Sequence, residues 1–204
     1  MDETKGKIVE AATKLFAERG LDGVTVREIC AAAGVNVALV NYHFKSKEGL
    51  YAVCIERLFA RIGGERIATL DKDVTDEAGW RRAVTEWVKG FSRVLHDQSA
   101  AYSSAAWAFR QEVIKPSAMY ETLKDNFGLP VFNCLKNLLM MAVSTEREAL
   151  LWMTSIWAQL SASVLVDRRW QDVFRPRGEG RAKWGREFAD FVLNTIFREL
   201  NYRG

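Results

Sequence analysis

Side chains suited to reading DNA bases and binding phosphate lie close together between residues 36 and 47. Asn41 can form paired hydrogen bonds with adenine, and Val37 and Ala38 offer apolar contacts to thymine methyl groups. Asn36 precedes them. Lys47 follows at a predicted helix start, where free amides and the helix dipole already favour an anion. Base-reading groups followed by a phosphate-binding group are typical of a helix that lies in the major groove.

Two short helical patterns position these residues. Thr25 and Glu28 form a capping box at the start of the first helix, because each side chain can bond the backbone N–H of the other residue. Gly34 supplies the positive backbone dihedral that a sharp helix exit requires, and Asn36 is a good N-cap for the second helix. The apolar face of the first helix consists of Val26, Ile29, Cys30 and Ala33. Two helices within about 20 residues, hinged at a glycine, predict a helix-turn-helix.

Several of these residues have more than one explanation. Thr25 stands at the start of the first helix and is a second phosphate candidate, and Arg27 is a weaker one. Asn36 is equally well explained as a cap alone. A single histidine such as His43 is more often a packed surface residue than a DNA contact. The apolar residues of the second helix predicted to face the core are Leu39 and Phe44, with Val40 as a further candidate.

The first 60 residues or so carry four short motifs in a recognisable order and spacing. These motifs are Leu15–Gly20, Thr25–Ile29, Ala33–Val35 and Tyr42–Leu50. Together they resemble the DNA-binding domain of the tetracycline-repressor (TetR) family of one-component transcriptional regulators. The resemblance implies that Tyr42 and His43 lie against the sugar-phosphate backbone. It also implies a DNA-binding domain at residues 1–47, a connecting fourth helix at 46–66, and an effector-binding and dimerisation domain at 67–204.

By this resemblance the chain is a ligand-responsive repressor that binds a palindromic operator in double-stranded DNA as a homodimer. The helix within residues 145–168 and the last helix, about 182–200, would form the dimer. A single short recognition helix reads too few base pairs, which also favours a two-fold assembly. The effector would bind preferentially to a dimer conformation in which the two DNA-binding domains no longer match the spacing of successive major grooves. Effector binding would therefore release DNA. Gly63 and Gly64 weaken the end of the fourth helix and are the predicted pivot.

Aromatic residues are concentrated in the last two thirds of the chain, where all seven tryptophans lie beyond residue 79. Large rings can line an apolar ligand cavity, although any one of them is more often part of a core. The rings predicted to line a ligand pocket are Trp87, Phe91, Trp107, Phe109, Tyr120, Phe127, Trp152 and Trp157. Arg110 and Glu112 would orient the ligand, or they form an ordinary surface ion pair. The expected effector is small and largely apolar or aromatic.

Helical periodicity continues along the whole chain, and no stretch shows sustained period-two alternation. The prediction is an all-α fold of about nine helices, with a three-helix head and a helical ligand-binding and dimerisation domain. The composition, 49% apolar and 27% charged, is typical of a globular protein. The net charge is only +3, and residues 1–70 hold ten Lys or Arg against nine Asp or Glu. The net charge of the chain therefore does not indicate DNA binding, and the prediction depends on positive side chains placed near the DNA surface.

The uncharged stretch at residues 149–166 sits at the lower length limit for a membrane span. It contains several Ser, Thr and Gln residues, which favour a core or subunit-interface helix, so no membrane partner is expected. The amino-terminus has no apolar secretory stretch, and a cytoplasmic location is predicted.

Catalysis is disfavoured by the residues that the chain holds. Its two histidines, His43 and His96, are not spaced as metal ligands, and it contains no phosphate loop, GxSxG motif or carboxylate cluster. No enzyme activity, metal or cofactor is therefore predicted. The cysteines, Cys30, Cys54 and Cys134, are expected to be buried thiols, with a redox sensor as the alternative. The rival to a DNA-binding regulator is a helical protein-interaction module that does not bind DNA.

Overall fold

The computed structural model describes residues 3–165 and 178–203, and every regular element within them is helical. In this part of the chain nine α-helices have eight residues or more, which confirms the prediction of an all-α fold with about nine helices. The α-helices are α1 Glu3–Arg19, α2 Val26–Ala33, α3 Val37–Phe44, α4 Lys47–Arg61, α5 Gly64–Ile67, α6 Glu77–His96, α7 Ala100–Ile114, α8 Tyr120–Leu123, α9 Leu129–Met140, α10 Glu146–Leu165 and α11 Arg181–Glu199. A 3-10 turn, Leu70–Asp73, precedes α6, and a π-helical turn, Lys124–Gly128, precedes α9.

Helices α1 to α3 and the first turns of α4 form the head, which has its own apolar core. Each of the four helices contributes one completely buried residue to this core: Ile8, Ile29, Val40 and Leu50. The head core also includes Leu123 of α8, so it extends beyond the predicted boundary at residue 47. Because α4 contributes side chains to this core, the head cannot keep its packing without the start of α4.

The predicted capping box at the start of α2 is present. The Glu28 carboxylate accepts hydrogen bonds from the Thr25 backbone N–H at 2.8 Å and from the Thr25 hydroxyl at 2.7 Å. The Thr25 oxygen in turn accepts from the Glu28 backbone N–H at 3.3 Å. Arg19, at the end of α1, donates to the same carboxylate at 2.7 Å. These bonds from Thr25 and Arg19 lower the pKa of Glu28 to about 2, so one carboxylate fixes the angle between α1 and α2.

The body is built around α6, which packs against α7, α9, α10 and α11. Trp80 and Trp87 lie two turns apart on α6 and are completely buried. Each indole N–H donates to a carbonyl of α9: Trp80 to Leu138 at 2.8 Å and Trp87 to Val131 at 2.9 Å. A buried indole therefore contributes apolar contact without leaving its donor unsatisfied, and truncating such a residue to Ala typically costs about 3–5 kcal/mol.

The head and the body meet where α7 packs against α1 and α4. Tyr51 of α4 packs edge-to-face on Phe16 of α1, with ring centroids 5.0 Å apart. Its hydroxyl donates to Glu112 of α7 at 2.9 Å. The other carboxylate oxygen of Glu112 accepts from the backbone N–H and the hydroxyl of Ser117, each at 3.1 Å. A buried tyrosine thus connects the head core to the end of α7.

The fourth helix is shorter than predicted. It ends at Arg61 rather than continuing to residue 66, and a separate turn, α5, follows. Gly63 between them has a φ of +74°, which a residue with a side chain rarely adopts. A Cβ on Gly64 would lie 2.4 Å from the Phe59 ring, so the chain is also closely packed at this corner.

The uncharged stretch forms most of α10, and its residue 166 lies outside the described part of the chain. One face of α10 is buried at Ala149, Ile156 and Leu160, whereas Thr154 and Ser155 are exposed. Among the described residues no helix has the length and apolar character needed to cross a bilayer.

The three cysteines are buried free thiols, as predicted. Burial raises the pKa of Cys54 to about 11 and that of Cys134 to about 12, and it also raises the pKa of Cys30. The thiolate form that reacts with oxidants is therefore scarce at neutral pH, which disfavours the redox-sensor alternative.

The Glu28 interactions predict a pH-dependent stability. The folded-state pKa of about 2 lies below the ordinary value of 4.5, so these bonds stabilise the fold fully above pH 4.5 and lose their contribution as pH falls towards 2. Glu28→Gln should lower the melting temperature at neutral pH, and the difference from wild type should narrow as pH falls below 4.5. Circular dichroism melts measure this effect. Glu18→Gln, on the exposed surface of α1, is the matched control; a gap that is independent of pH would contradict the assignment.

Candidate nucleic-acid interface

The turn between α2 and α3 has the geometry that the sequence indicates. Gly34 adopts a left-handed conformation with φ +66°, and the backbone N–H of Val35 donates to the Cys30 carbonyl at 3.0 Å. The Asn36 side chain accepts a hydrogen bond from the Ala38 backbone N–H at 2.9 Å and so caps α3. Because both ends of the turn are hydrogen-bonded, α3 is held in a fixed orientation on α2.

Helix α3 has one buried face and one outward face. Val40 and Phe44 are buried in the head core, with 0% and 6% of their surface exposed. On the opposite face Tyr42 is 81% exposed, and its neighbours Ala38 and Asn41 are exposed as well. Val37 lies at the edge of this face and is 38% exposed. Asn36, Val37, Ala38, Asn41 and Tyr42 therefore form a continuous outward edge, which we call the α3 edge.

Leu39 differs from its prediction as a core residue, because 36% of its surface is exposed. Val40 and Phe44 lie on one side of this short helix and set its inward direction, which places Leu39 at the margin of the core. Leu39 therefore adds an apolar group next to the α3 edge. A hydrophobic pattern of eight residues contains too few turns to fix this direction from sequence.

His43 is half-buried between two aromatic neighbours. Its ring lies 5.0 Å from that of Tyr42 in an edge-to-face arrangement and 6.0 Å from that of Phe44. The packed-surface explanation of His43 is therefore compatible with the structure. These contacts also fix the orientation of the exposed Tyr42 ring.

The connection between α3 and α4 is a γ-turn centred on Lys45. Lys45 has φ +67° and ψ −44°, and the Ser46 backbone N–H donates to the Phe44 carbonyl at 2.8 Å. This conformation is strained for a residue with a side chain, and such strain clusters at functional sites. The turn brings the start of α4 directly to the end of α3. Nothing in the Lys-Ser-Lys sequence indicates it, because the usual signal for a positive φ is glycine.

Lys47 bonds to the chain that precedes α2. Its ammonium group donates to the carbonyl of Leu21 at 2.8 Å and to that of Val24 at 3.2 Å. Lys47 therefore ties the start of α4 to the loop before α2, and these two bonds engage two of the three N–H donors of its ammonium group. Thr25 lies in that loop with its hydroxyl engaged by Glu28, and Arg27 is exposed on the first turn of α2.

The predicted ligand-binding rings divide into two groups. Trp87, Phe91 and Phe109 belong to an aromatic cluster completed by Phe132, a residue that the sequence reasoning did not select. Trp87 stacks on Phe91 at 5.0 Å, and Phe91 packs edge-to-face on Phe109 at 5.9 Å and on Phe132 at 5.8 Å. These rings fill space by contacting one another. Trp152 and Trp157 of α10 are half-buried and pack against the same core.

The second group lies at the contact between head and body. The Trp107 ring is 3.5 Å from the position that a Cβ on Gly20 would occupy, at the end of α1. Phe127 packs on Phe59 of α4 with ring centroids 5.1 Å apart. Tyr120 is half-buried, with the Lys124 ammonium 5.9 Å above its ring, and Arg110 is half-buried on α7. The predicted pocket residues are thus not brought together at one place.

The described residues hold no group of three or more His, Cys, Asp or Glu side chains arranged to bind a metal ion. Glu112, which sequence reasoning treated as a ligand-orienting or ion-pairing group, accepts from Tyr51 and Ser117 instead.

Comparisons with known proteins bear on the head and on the fold separately. Residues 8–54 match the family described as bacterial regulatory proteins, tetR family. The probable HTH-type transcriptional regulator YttP of Bacillus subtilis (strain 168) is 53% identical over 47 residues, which are 23% of each chain. The HTH-type transcriptional dual regulator CecR of Shigella flexneri is 26% identical over 147 residues, 68% of this chain and 64% of that protein. The chain therefore spans less than two thirds of the length of either relative.

A solved structure shares the whole fold. The transcriptional regulator FadR from Bacillus subtilis, in complex with stearoyl-CoA, superposes with a TM-score of 0.66 and 16% sequence identity, over 94% of this chain and 98% of that one. This likeness establishes the all-α architecture of head and body together. Residues 8–54 thus resemble the helix-turn-helix of the tetR family of bacterial regulatory proteins, and the chain as a whole shares the all-α fold of this solved regulator.

Proposed function

We propose that the protein is a sequence-specific transcriptional regulator, most simply a repressor, that binds a palindromic operator in double-stranded DNA. The α3 edge carries this proposal. Its amide, methyl and phenol groups point away from the head core, while Val40 and Phe44 anchor the helix from behind. A protein-interaction module would not need a rigid edge at the end of a capped turn with two lysines beside it. The place of action is the cytoplasm, where the operator lies, and no catalytic step is part of the function.

The DNA contacts that we propose divide by chemistry. Asn41, Val37 and Ala38 contact base edges, with Asn36 beside them as cap and neighbour. The groups that contact phosphate are Thr25, Arg27, Tyr42, His43 and Lys47. We propose two roles for Lys47. It holds the loop before α2 through the Leu21 and Val24 carbonyls, and its positive charge attracts a DNA phosphate at the start of α4.

We propose a homodimer formed by α10 and α11, whose outward faces carry exposed apolar groups. On α10 Leu151 is 64% exposed, and Ser155 and Ala158 continue the same face one and two turns later. On α11 Phe191 is 60% exposed and stacks on Phe188, with centroids 6.1 Å apart. Exposed aromatic rings beside small residues suit close packing of two helix pairs around a two-fold axis. The dimer would present two α3 edges to successive major grooves.

We propose that a small, largely apolar effector regulates DNA binding from the body. FadR of Bacillus subtilis, which shares the fold, was solved in complex with stearoyl-CoA, which supports a ligand with a large apolar part. In the present chain the aromatic cluster and the half-buried Trp152, Trp157 and Arg110 are the proposed contacts, and Tyr120, Trp107 and Phe127 would transmit changes to the head. The two heads of the dimer would move relative to each other about a pivot at Gly63 and Gly64. This movement would release the operator.

Asn41→Ala should relax the preference for one base pair in each half-site. Loss of the paired hydrogen bonds to adenine should cost about 1–3 kcal/mol at that position and leave other positions unchanged. Operators would be selected from random duplexes, and fluorescence anisotropy would measure binding to single-base variants. Asn133→Ala, on the exposed surface of α9, is the matched control. An unchanged base preference would remove Asn41 from the reading residues, and no selectable duplex at low salt would overturn the regulator proposal itself.

Lys47→Ala should weaken binding to all duplexes and reduce the salt dependence. Each lost phosphate contact should lower the log–log slope of affinity against salt by about 0.9 per subunit. The same variant should melt at a lower temperature, because the Leu21 and Val24 carbonyls lose their donor. Lys72→Ala, which removes an exposed charge from the body, is the control for net charge. A lower melting temperature with an unchanged slope would assign Lys47 a structural role only.

Phe191→Glu should convert the dimer into a monomer, because a carboxylate in a two-fold apolar interface meets its own symmetry mate. Sedimentation velocity measures the change. Ile114→Glu is the matched control, since Ile114 of α7 is 56% exposed on a different helix. The dimer proposal fails if wild type sediments as a monomer or if both variants remain dimeric.

A further inference from the structure

A cavity of about 170 Å³ lies between the second half of α6 and the first half of α11. It arises from the way these helices cross. A Cβ on Gly185 would be 2.5 Å from the Cβ of His96, so the helices approach closely at this point. The Ser92 hydroxyl donates to the Gly185 carbonyl at 2.8 Å and fixes the crossing. Ala182 and Ala189, about one turn on either side of Gly185, are too small to fill the space beside it.

Charged side chains surround this cavity, and cations outnumber carboxylates. Lys89 and Asp190 pair across the two helices at 2.9 Å. The remaining charged groups in the wall are the guanidinium groups of Arg93 and Arg186 and the carboxylate of Asp97. One positive charge is therefore in excess, apart from any charge on the buried His96.

Both arginines line the cavity, and both act on Asp97. Hydrogen bonds from Ser99 lower the pKa of Asp97, and the positive charges of Arg93 and Arg186 add to this effect. Both guanidinium groups are thus close enough to act on one carboxylate. Within the described chain, neither has a carboxylate oxygen within the 4.0 Å of an ion pair. Two guanidinium groups in the wall of one cavity can each donate hydrogen bonds to a bound carboxylate.

We infer that the α6–α11 cavity is a binding site for a small organic carboxylate held by Arg93 and Arg186. The volume is close to that of an engineered cavity of about 150 Å³ that holds benzene, so a single ring with one carboxylate fits. Ala182, Gly185 and Ala189 supply apolar surface for the ring, which an inorganic anion would not use. The site is separate from the aromatic cluster, and binding to it does not depend on DNA binding.

Isothermal titration calorimetry of the full chain with sodium benzoate tests this inference. Benzoate should bind saturably with a Kd of about 10 mM or tighter, as expected for a ligand of nine heavy atoms. Benzamide, which has the same ring and no charge, and inorganic phosphate should both bind at least about tenfold more weakly. Equal binding of benzamide or phosphate, or no saturation by benzoate, would overturn the assignment.

Substitutions locate the site. Arg93→Gln and Arg186→Gln should each weaken benzoate binding by about tenfold or more, because a charge-assisted hydrogen bond is lost. Arg198→Gln, on an exposed part of α11, should leave it unchanged. Ala182→Leu keeps both arginines and fills the cavity, so it should also block benzoate. Circular dichroism melts confirm that each variant is folded, and benzoate binding that survives both arginine substitutions would contradict the proposed site.

Discussion

The contact between Tyr51 and Glu112 joins the two parts of the molecule. Tyr51 is 1% exposed and its ring belongs to the head core, yet its hydroxyl reaches α7 of the body. Burial, with the nearby Glu112 charge, raises the pKa of Tyr51, so the phenol stays protonated and acts as a donor. A buried phenol left without this acceptor would be costly, so the orientation of the head on the body depends on the pair.

The body is well suited to maintain that arrangement because its core is filled. Trp80 and Trp87 satisfy their indole donors on α9, and the aromatic cluster closes on itself around Phe91. Helix α7 lies between this cluster and the head, with Phe109 facing the former and Trp107 the latter. A ligand that separated the rings of the cluster would therefore displace α7. Because the interior is densely packed, a helix in it shifts between two discrete positions rather than bending continuously.

The outward edge of α3 could be anticipated from sequence almost completely. Asn41 is exposed as the helical pattern predicted, and Tyr42 is exposed as the family resemblance implied. The exception is Leu39, whose position depends on the direction of a helix with eight residues. The aromatic residues of the body were recognised as important, but their grouping was not. Trp107 and Phe127 lie against the head while Phe132 joins the cluster, and composition carries no information on which helix faces which.

The sequence by itself determined the features whose partners lie within a few residues. The capping box of Thr25 and Glu28, the left-handed Gly34 and the Asn36 cap each follow from local hydrogen bonds that any folded context must satisfy. Only the tertiary structure decided that Lys47 reaches back to Leu21, that Tyr51 bonds a carboxylate 61 residues away, and that a charged cavity opens between α6 and α11. These depend on how helices distant in sequence rotate and cross, which packing of the whole core fixes and no local pattern encodes.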